Sequence, residues 1–378
     1  MGRWLGSERE AWLALALVPG VGASRLRALL DRFETPSGAL GAPFELVRSV
    51  PGMVKAAATA LCMADRGAAR EALAHAERLG AKLLIPGDED FPPRLLEIPE
   101  PPPALFALGS LSLLARPAVA IVGSRDHSAY GGEVARRLGR EAAVAGLVVV
   151  SGMARGLDAL AHAGALEATG ATIGVLGNGL GVVYPAANRR LYRAVIERGL
   201  LITEFPPGER PVIGAFPRRN RIISGLARVT VVVEAAQASG ALQTVQCALE
   251  QGRDVMAVPG PITSGVSRGT NGLIRDGCEP MLETEDLLRH YPEIQQTRMA
   301  RVARTNAEET GMLPVSGSAL EARLCALLRN APRALAELCD ATDRPPAEVL
   351  DMLTALELAG TIRGEAGGCF ALSASRRA

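Results

Sequence analysis

The amino-acid sequence predicts an α/β protein built on a doubly wound parallel sheet, and three observations predict it. From Ala118 onward, short β-branched apolar runs alternate with helical stretches. The runs are continuous rather than alternating apolar with polar, the pattern of strands buried on both faces. Four of the runs end in small, flexible residues, the ends at which this architecture holds its ligands. The expected strands are "AVAIVG", "LVVVSG", "TIGVLG", "LLITEF", "RVTVVVEA" and "DVMAVPG".

Composition bounds the rest. With 378 residues, 48% hydrophobic and 21% charged, the chain is expected to be a soluble globular protein of two or three domains. Lys+Arg 41 against Asp+Glu 40 leaves +1, so any anion site must be local. All basic residues except Lys55 and Lys82 are arginines, which reads first as base composition but also supplies planar forks for phosphate. The six cysteines and four histidines show no metal-ligand spacing, so neither zinc, another cofactor nor a disulfide framework is expected. The apolar run Trp12 to Val18 is too short to span a bilayer, and a cytoplasmic protein is expected.

Ahead of the sheet, "WLALALVPGVGASRLRALLDRF" reads as helix, tight turn, helix, punctuated by Pro19, Gly20 and Gly22. "VRSVPGMVKAAATAL" is a weaker echo, with Met53 where a second turn glycine would sit. The pair resembles a helix-hairpin-helix arrangement, whose turn offers backbone N–H groups to phosphate. A small helical packing domain is the equal alternative. Prolines then crowd "IPGDEDFPPRLLEIPEPPPALFALGS", a connector of extended segments and turns. Beyond the sheet, "PEIQQTRMARVARTNAEETGMLPVSG" is polar and aperiodic, a linker. The C-terminal stretch has three helical segments and then "TIRG" and "CFAL" around "EAGG", the order of a winged helix with its wing at Glu365 to Gly368. Its third helix, "PAEVLDMLTALELAG", carries acids and no arginine, which favours a structural or protein-contact role. The expected division is helical 1–84, sheet 85–290, linker 291–317 and winged helix 318–378.

The strand ends carry the chemistry. They present Gly123, Ser124 and Arg125; Ser151, Gly152, Arg155 and Gly156; Gly177, Gly179 and Gly181; and Glu234, Ser239, Gly240 and Thr244. Glycines admit close backbone approach and the following helices hold anions at their N-termini, so a phosphate-binding shelf is expected. "FPRRNRIISG" reads as a short segment entering the strand Arg228 to Glu234, placing one or more of Arg218, Arg219 and Arg221 at that same edge. "GNGLG" has the wrong spacing for a dinucleotide fingerprint, and no G-x-x-x-x-G-K-S/T occurs, so a repeated anion fits better than one nucleotide. The acids Glu204, Glu234 and Asp158 read as caps or arginine partners, and His162 as a packed histidine. No catalytic set can be assembled. Aromatics are 3% of the chain, so base stacking falls to Tyr130, Tyr184 and Phe216.

With "GDEDFPPRLLEI", "AIVGSR", "SGMARGLDALAHAGAL", "GVLGNGLGVVYPAANRRL", "FPRRNRIISGL", "VVVEAAQASGALQT" and "VPGPITSGVSRGTNGLIRDG" in view, the chain resembles the DprA/Smf family of DNA-processing proteins over roughly Gly87 to Leu282. The resemblance implies an extended Rossmann-like core between an N-terminal SAM-like domain and a C-terminal winged helix. It implies single-stranded DNA and the RecA recombinase as partners during natural transformation or recombinational repair, a homodimer, and no turnover. By motif match the DNA-binding residues are Gly123, Ser124, Arg125, Gly152, Arg155, Gly156, Arg218, Arg219, Asn220, Arg221, Ser239, Gly240, Ala241 and Thr244. "EAAQASGALQT" also resembles the nucleotide-binding turn of a phosphoribohydrolase family, in which Glu234 would be catalytic. That family's "PGGxGT" signature is missing here.

Overall fold

The computed structural model describes residues 7–64, 66–296, 319–329, 331–358, 360–365 and 369–372. It divides into two compact units, Met1–Arg298 and Met299–Ala378.

The first unit opens with helices α1 (Ser7–Leu17), α2 (Ala23–Phe33), α3 (Pro36–Leu40), α4 (Phe44–Arg48), α5 (Lys55–Cys62) and α6 (Gly67–Leu79). The echo seen in sequence is a repeat in geometry. Between α1 and α2, Val18 N donates to Leu15 O and Val21 N to Val18 O; between α4 and α5, Val50 N donates to Val47 O and Met53 N to Val50 O. Gly20 and Gly52 hold positive φ, +83° and +74°, which is why each hairpin turns on a Pro-Gly pair. Met53 is buried and matches the buried Val21 of the first turn, so it is Val54, not Met53, that stands where the first turn has Gly22. The helices share one apolar core with the sheet, running from Trp12 and Leu15 to Phe106, Leu176 and Leu201.

The sheet has nine strands: β1 (Lys82–Leu84), β2 (Leu105–Gly109), β3 (Ala118–Val122), β4 (Val148–Ser151), β5 (Thr172–Val175), β6 (Leu200–Thr203), β7 (Val229–Val232), β8 (Asp254–Ala257) and β9 (Glu279–Pro280). Their spatial order is β1-β2-β6-β5-β4-β3-β7-β8-β9. All six expected strands are present, and β6 through β9 run parallel in that order. β1 and β2 extend one edge antiparallel, so the sheet starts at Lys82. The central strands explain why their sequences show no polar alternation: Ile121, Val149, Val150 and Val231 are all fully buried. Each such side chain contributes about 1.5–3 kcal/mol.

α7 (Ala129–Ala145), α8 (Leu157–Ala168), α9 (Arg189–Arg198), α10 (Ala215–Leu226), α11 (Ala241–Glu250), α12 (Arg268–Arg275) and α13 (Thr284–Leu288) cover the sheet. α10 corrects an expectation, because "FPRRNRIISG" is a helix and not an extended lead into β7. Pro217 sits in the first turn, where its missing N–H costs no hydrogen bond. Ile222, Ile223 and Leu226 then form the buried stripe that holds the helix down. The unit also continues beyond residue 290: Tyr291 is completely buried, and its hydroxyl donates to Ala118 O at 2.7 Å and accepts from Val229 N at 3.3 Å.

The second unit contains α14 (Ala319–Leu328), β10 (Arg333–Ala334), α15 (Leu335–Thr342), α16 (Pro346–Leu358), β11 (Ile362–Glu365) and β12 (Cys369–Leu372). Three helices pack on a sheet of order β10-β12-β11 around Leu324, Leu338, Val349 and Leu353, the winged-helix arrangement. Most of the expected linker, and residues 366–368 of the expected wing, lie outside the described residues. Among the described residues no helix is long and apolar enough to cross a membrane.

Candidate functional site

β3 hands the chain to β4 on one side of the sheet, whereas β7 hands it to β8 on the other. A crevice therefore opens beyond the carboxyl ends of β3 and β7, the position of ligand sites in this architecture. The two loops are tied by Ser124 N, which donates to Glu234 O at 2.8 Å. The loop after β4 is drawn against the loop after β3 at Gly156. Its φ is +83°, and a Cβ there would stand 2.5 Å from Arg125 O.

Two cavities occupy this edge. The first, of about 300 Å³, has Gly123 and Ser124 on one side and Ser239, Gly240, Ala241 and Thr244 of the α11 entry on the other. Its wall is Phe216, Arg219, Asn220 and Ile223 of α10. Gly240 supplies no side-chain cap, and the Ser239 hydroxyl accepts from the Ala241 amide at 3.3 Å, so the positive end of the α11 dipole borders the space beside Ser239. The second cavity, of about 330 Å³, lies beyond β4 and β5 and is lined by Gly152, Met153, Arg155, Asn178 and Tyr184. Arg125, Phe216 and Arg219 line both. The Arg125 guanidinium lies 6.0 Å over the Phe216 ring, and Tyr184 packs on Phe216 with centroids 5.5 Å apart. The result is a cationic partition with an aromatic face.

Beneath the partition is a buried charged group. Arg219 is 5% exposed and donates through Nη1 to Gly152 O and Val175 O, while its buried Nε has no hydrogen-bond partner among the described residues. A Cβ on Gly152 would lie 2.5 Å from that guanidinium, so glycine is what seats it. Burial pushes Arg219 down to about 10, opposed by Asp158, and the side chain stays cationic at neutral pH. Burial likewise pushes the Asp158 carboxyl up, against the pull of Arg219 and of the amides of Ala154, Gly152 and Gly123. Its Oδ2 accepts from Gly152 N at 3.1 Å. His162 is completely buried, 2.7 Å from the Thr172 hydroxyl, and burial followed by the nearby Arg219 pushes it down to about 3. It is a neutral packed histidine.

The chain matches the family described as DNA recombination-mediator protein A over residues 82–292, more than half its length. The chain belongs to this family. Residues 308–368 match the DprA winged helix domain. Protein Smf of Escherichia coli (strain K12) is 40% identical over 290 residues, covering 75% of this chain and 76% of that protein. The X-ray structure of DNA processing protein A from Streptococcus pneumoniae superposes with a TM-score of 0.65 at 32% identity, covering 76% of this chain and 98% of that one. A second structure has a TM-score of 0.52 at 27% identity and covers 56% of this chain and 96% of that one. It is described as giving structural insights into the unique single-stranded DNA binding mode of DNA processing protein A from Helicobacter pylori.

Within this family fold the expected residues separate. Gly123, Ser124, Arg125, Arg219, Asn220, Ser239, Gly240, Ala241 and Thr244 meet at the first cavity, and Gly152 and Arg155 join at the second. Gly156 lines neither and serves the loop packing described above. Arg221 turns away into a buried ion pair with Glu204 at 2.6 Å; burial pulls the guanidinium down, but the Glu204 carboxylate outweighs it and leaves it raised. Arg218 also turns away, 5.8 Å over the Phe205 ring. Among the described residues Arg155 pairs with the exposed Asp126 at 3.0 Å, a pair worth little in solvent. Of the stacking candidates, Tyr184 and Phe216 are at the site, whereas Tyr130 bonds to Pro259 O and lines a separate cavity. Sequence reasoning passed over Asn178, although it stands between two strand-end glycines, and Gln243, which shares the α11 entry with Ala241 and Thr244. Glu234 accepts from Ser128 N at 2.9 Å at the start of α7 and is 1% exposed. It lines neither cavity.

Proposed function

We propose that the chain binds single-stranded DNA across the two cavities. The observation that carries this reading is Arg219, a cation buried at the partition and presented to both spaces at once. Asp158 offsets part of the Arg219 charge from below, and what remains attracts an anion brought into either space. In this reading a phosphate sits in the first cavity, held by Arg125, Arg219 and the N-terminus of α11. An unstacked base enters the second, against Tyr184 and Phe216 and within reach of Asn178. A duplex keeps its bases stacked and paired, so it meets only the outer arginines. The resemblance to family members supports the rest of the proposal: a cytoplasmic homodimer that protects incoming strands and hands them to RecA during transformation or repair, with no turnover of its own.

The hydrolytic reading built on Glu234 has the weaker support, because that carboxylate is committed to the start of α7 and would clash with any side chain added at Gly131. The test is fluorescence anisotropy of labelled single-stranded and duplex oligonucleotides, run beside a nucleoside-monophosphate hydrolysis assay. Tighter single-strand binding with no hydrolysis is the expected result. Hydrolysis abolished by Glu234→Gln, or equal affinity for the two DNA forms, would overturn it.

A further inference from the structure

The arginine motif on α10 faces two ways. Phe216, Arg219, Asn220 and Ile223 look into the crevice at the strand ends, while Arg218 and Arg221, on the opposite side of the helix, line a third cavity of about 430 Å³. The far wall of that cavity is the pair of N-terminal hairpin turns, Val21 to Arg25 and Pro51 with Gly52. Arg25 clamps the two turns together, donating to Gly20 O at 2.5 Å and Gly52 O at 2.8 Å. Its carbonyl partners are neutral, so its charge remains. Arg221 is cancelled by Glu204, whereas Arg218 is exposed and forms no ion pair among the described residues, its charge only drawing down the Glu209 carboxyl that burial raises. The exposed hydroxyl of Ser24 lines the same wall, in a first turn of α2 that carries no acid. The other carboxylate lining the cavity is Glu100, which forms no ion pair among the described residues; its main-chain oxygen accepts from Arg221 Nε at 2.9 Å, and its charge also acts on Arg221.

We propose that this third cavity is a second phosphate site, which grips the sugar-phosphate backbone of the strand as it leaves the crevice. The proposal rests on the single-strand reading above. It assigns the hairpin pair a role in extending the bound length, with Arg218 and Arg25 as its cations and no contact to bases.

The test is anisotropy with oligothymidylates of about 4 and about 16 nucleotides, the span of site sizes known for single-strand binders. Arg218→Glu is expected to leave the short oligonucleotide unaffected and to weaken the long one about tenfold, flattening its salt slope by about 0.7. Glu100→Gln is expected to tighten the long one only. An unchanged long oligonucleotide in Arg218→Glu would overturn the proposal, and equal weakening of both lengths would return Arg218 to the crevice. Failure of the single-strand reading itself shows separately, as Arg125→Ala leaving the short oligonucleotide unaffected.

Discussion

The carboxyl edge of the large sheet is where open α/β sheets hold ligands, the third helix of the second unit lies where helix-turn-helix relatives meet DNA, and the two carry opposite chemistry. The edge gathers Arg125, Arg155 and Arg219 around glycine turns and the N-terminus of α11. α16 exposes Glu348, Asp351 and Glu357 beside Leu350, and the arginine just ahead of it, Arg344, is held by Glu348 at 3.2 Å. A phosphate brought to α16 meets carboxylates; one brought to the sheet edge meets Arg125 and Arg219, with Asp126 and Asp158 lining the same cavity. Fold places the candidate surfaces, and side-chain charge decides between them.

The substitution expected to damage the sheet edge most is Arg219→Ala. It strips both cavities of one of the two arginines they share, removes the charge that steadies the buried Asp158, and leaves Gly152 O and Val175 O without this donor, a loss of about 1–3 kcal/mol. Urea unfolding should show that loss, and anisotropy a loss of single-strand binding; an unaltered midpoint would mean that Asp158 does not depend on Arg219. Next come Tyr184→Ala and Phe216→Ala, each expected to weaken single-strand binding by about 1–3 kcal/mol without altering the salt slope. Equal weakening toward duplex would remove the base from the second cavity.

The buried histidine beneath the edge gives a pH signature. Its folded value of about 3 lies below its ordinary 6.5, so between those limits the unfolded chain takes up a proton that the fold refuses. Stability therefore falls as pH drops through that window, by up to about 1.4 kcal/mol per pH unit. His162→Gln should flatten this part of an acid-unfolding profile, and an unchanged profile would assign the acid sensitivity to other groups. The smallest effect is expected on α16, where Glu348→Ala with Asp351→Ala should shift stability by less than about 0.5 kcal/mol and leave single-strand affinity unchanged. A loss of affinity there would reverse the comparison.

The sequence was most readable where burial was total. β3 through β8 announce themselves because strands covered on both faces tolerate no polar alternation. β1 and β2 hide among prolines, since a short edge pair is set by its neighbours more than by its own pattern. The glycine and arginine content of the site was legible, but the division of labour within "RRNR" was not. Once that segment is known to be helical, its phase sends Arg219 and Arg221 to different sides, one buried at the cavities and the other paired with Glu204. Asn178 looked like one more loop residue until the strand ends were brought together.

The central claim is that arginines at the sheet edge neutralise phosphates of a single strand. The direct measurement is the slope of log K against log salt for one labelled oligonucleotide, in the wild type and in Arg125→Ala, whose exposed side chain supports no part of the core. The account predicts tight binding with a steep slope that flattens by about 0.7 in the variant, the signature of one lost phosphate contact on a single strand. An identical slope in the two proteins would contradict it and place the DNA elsewhere.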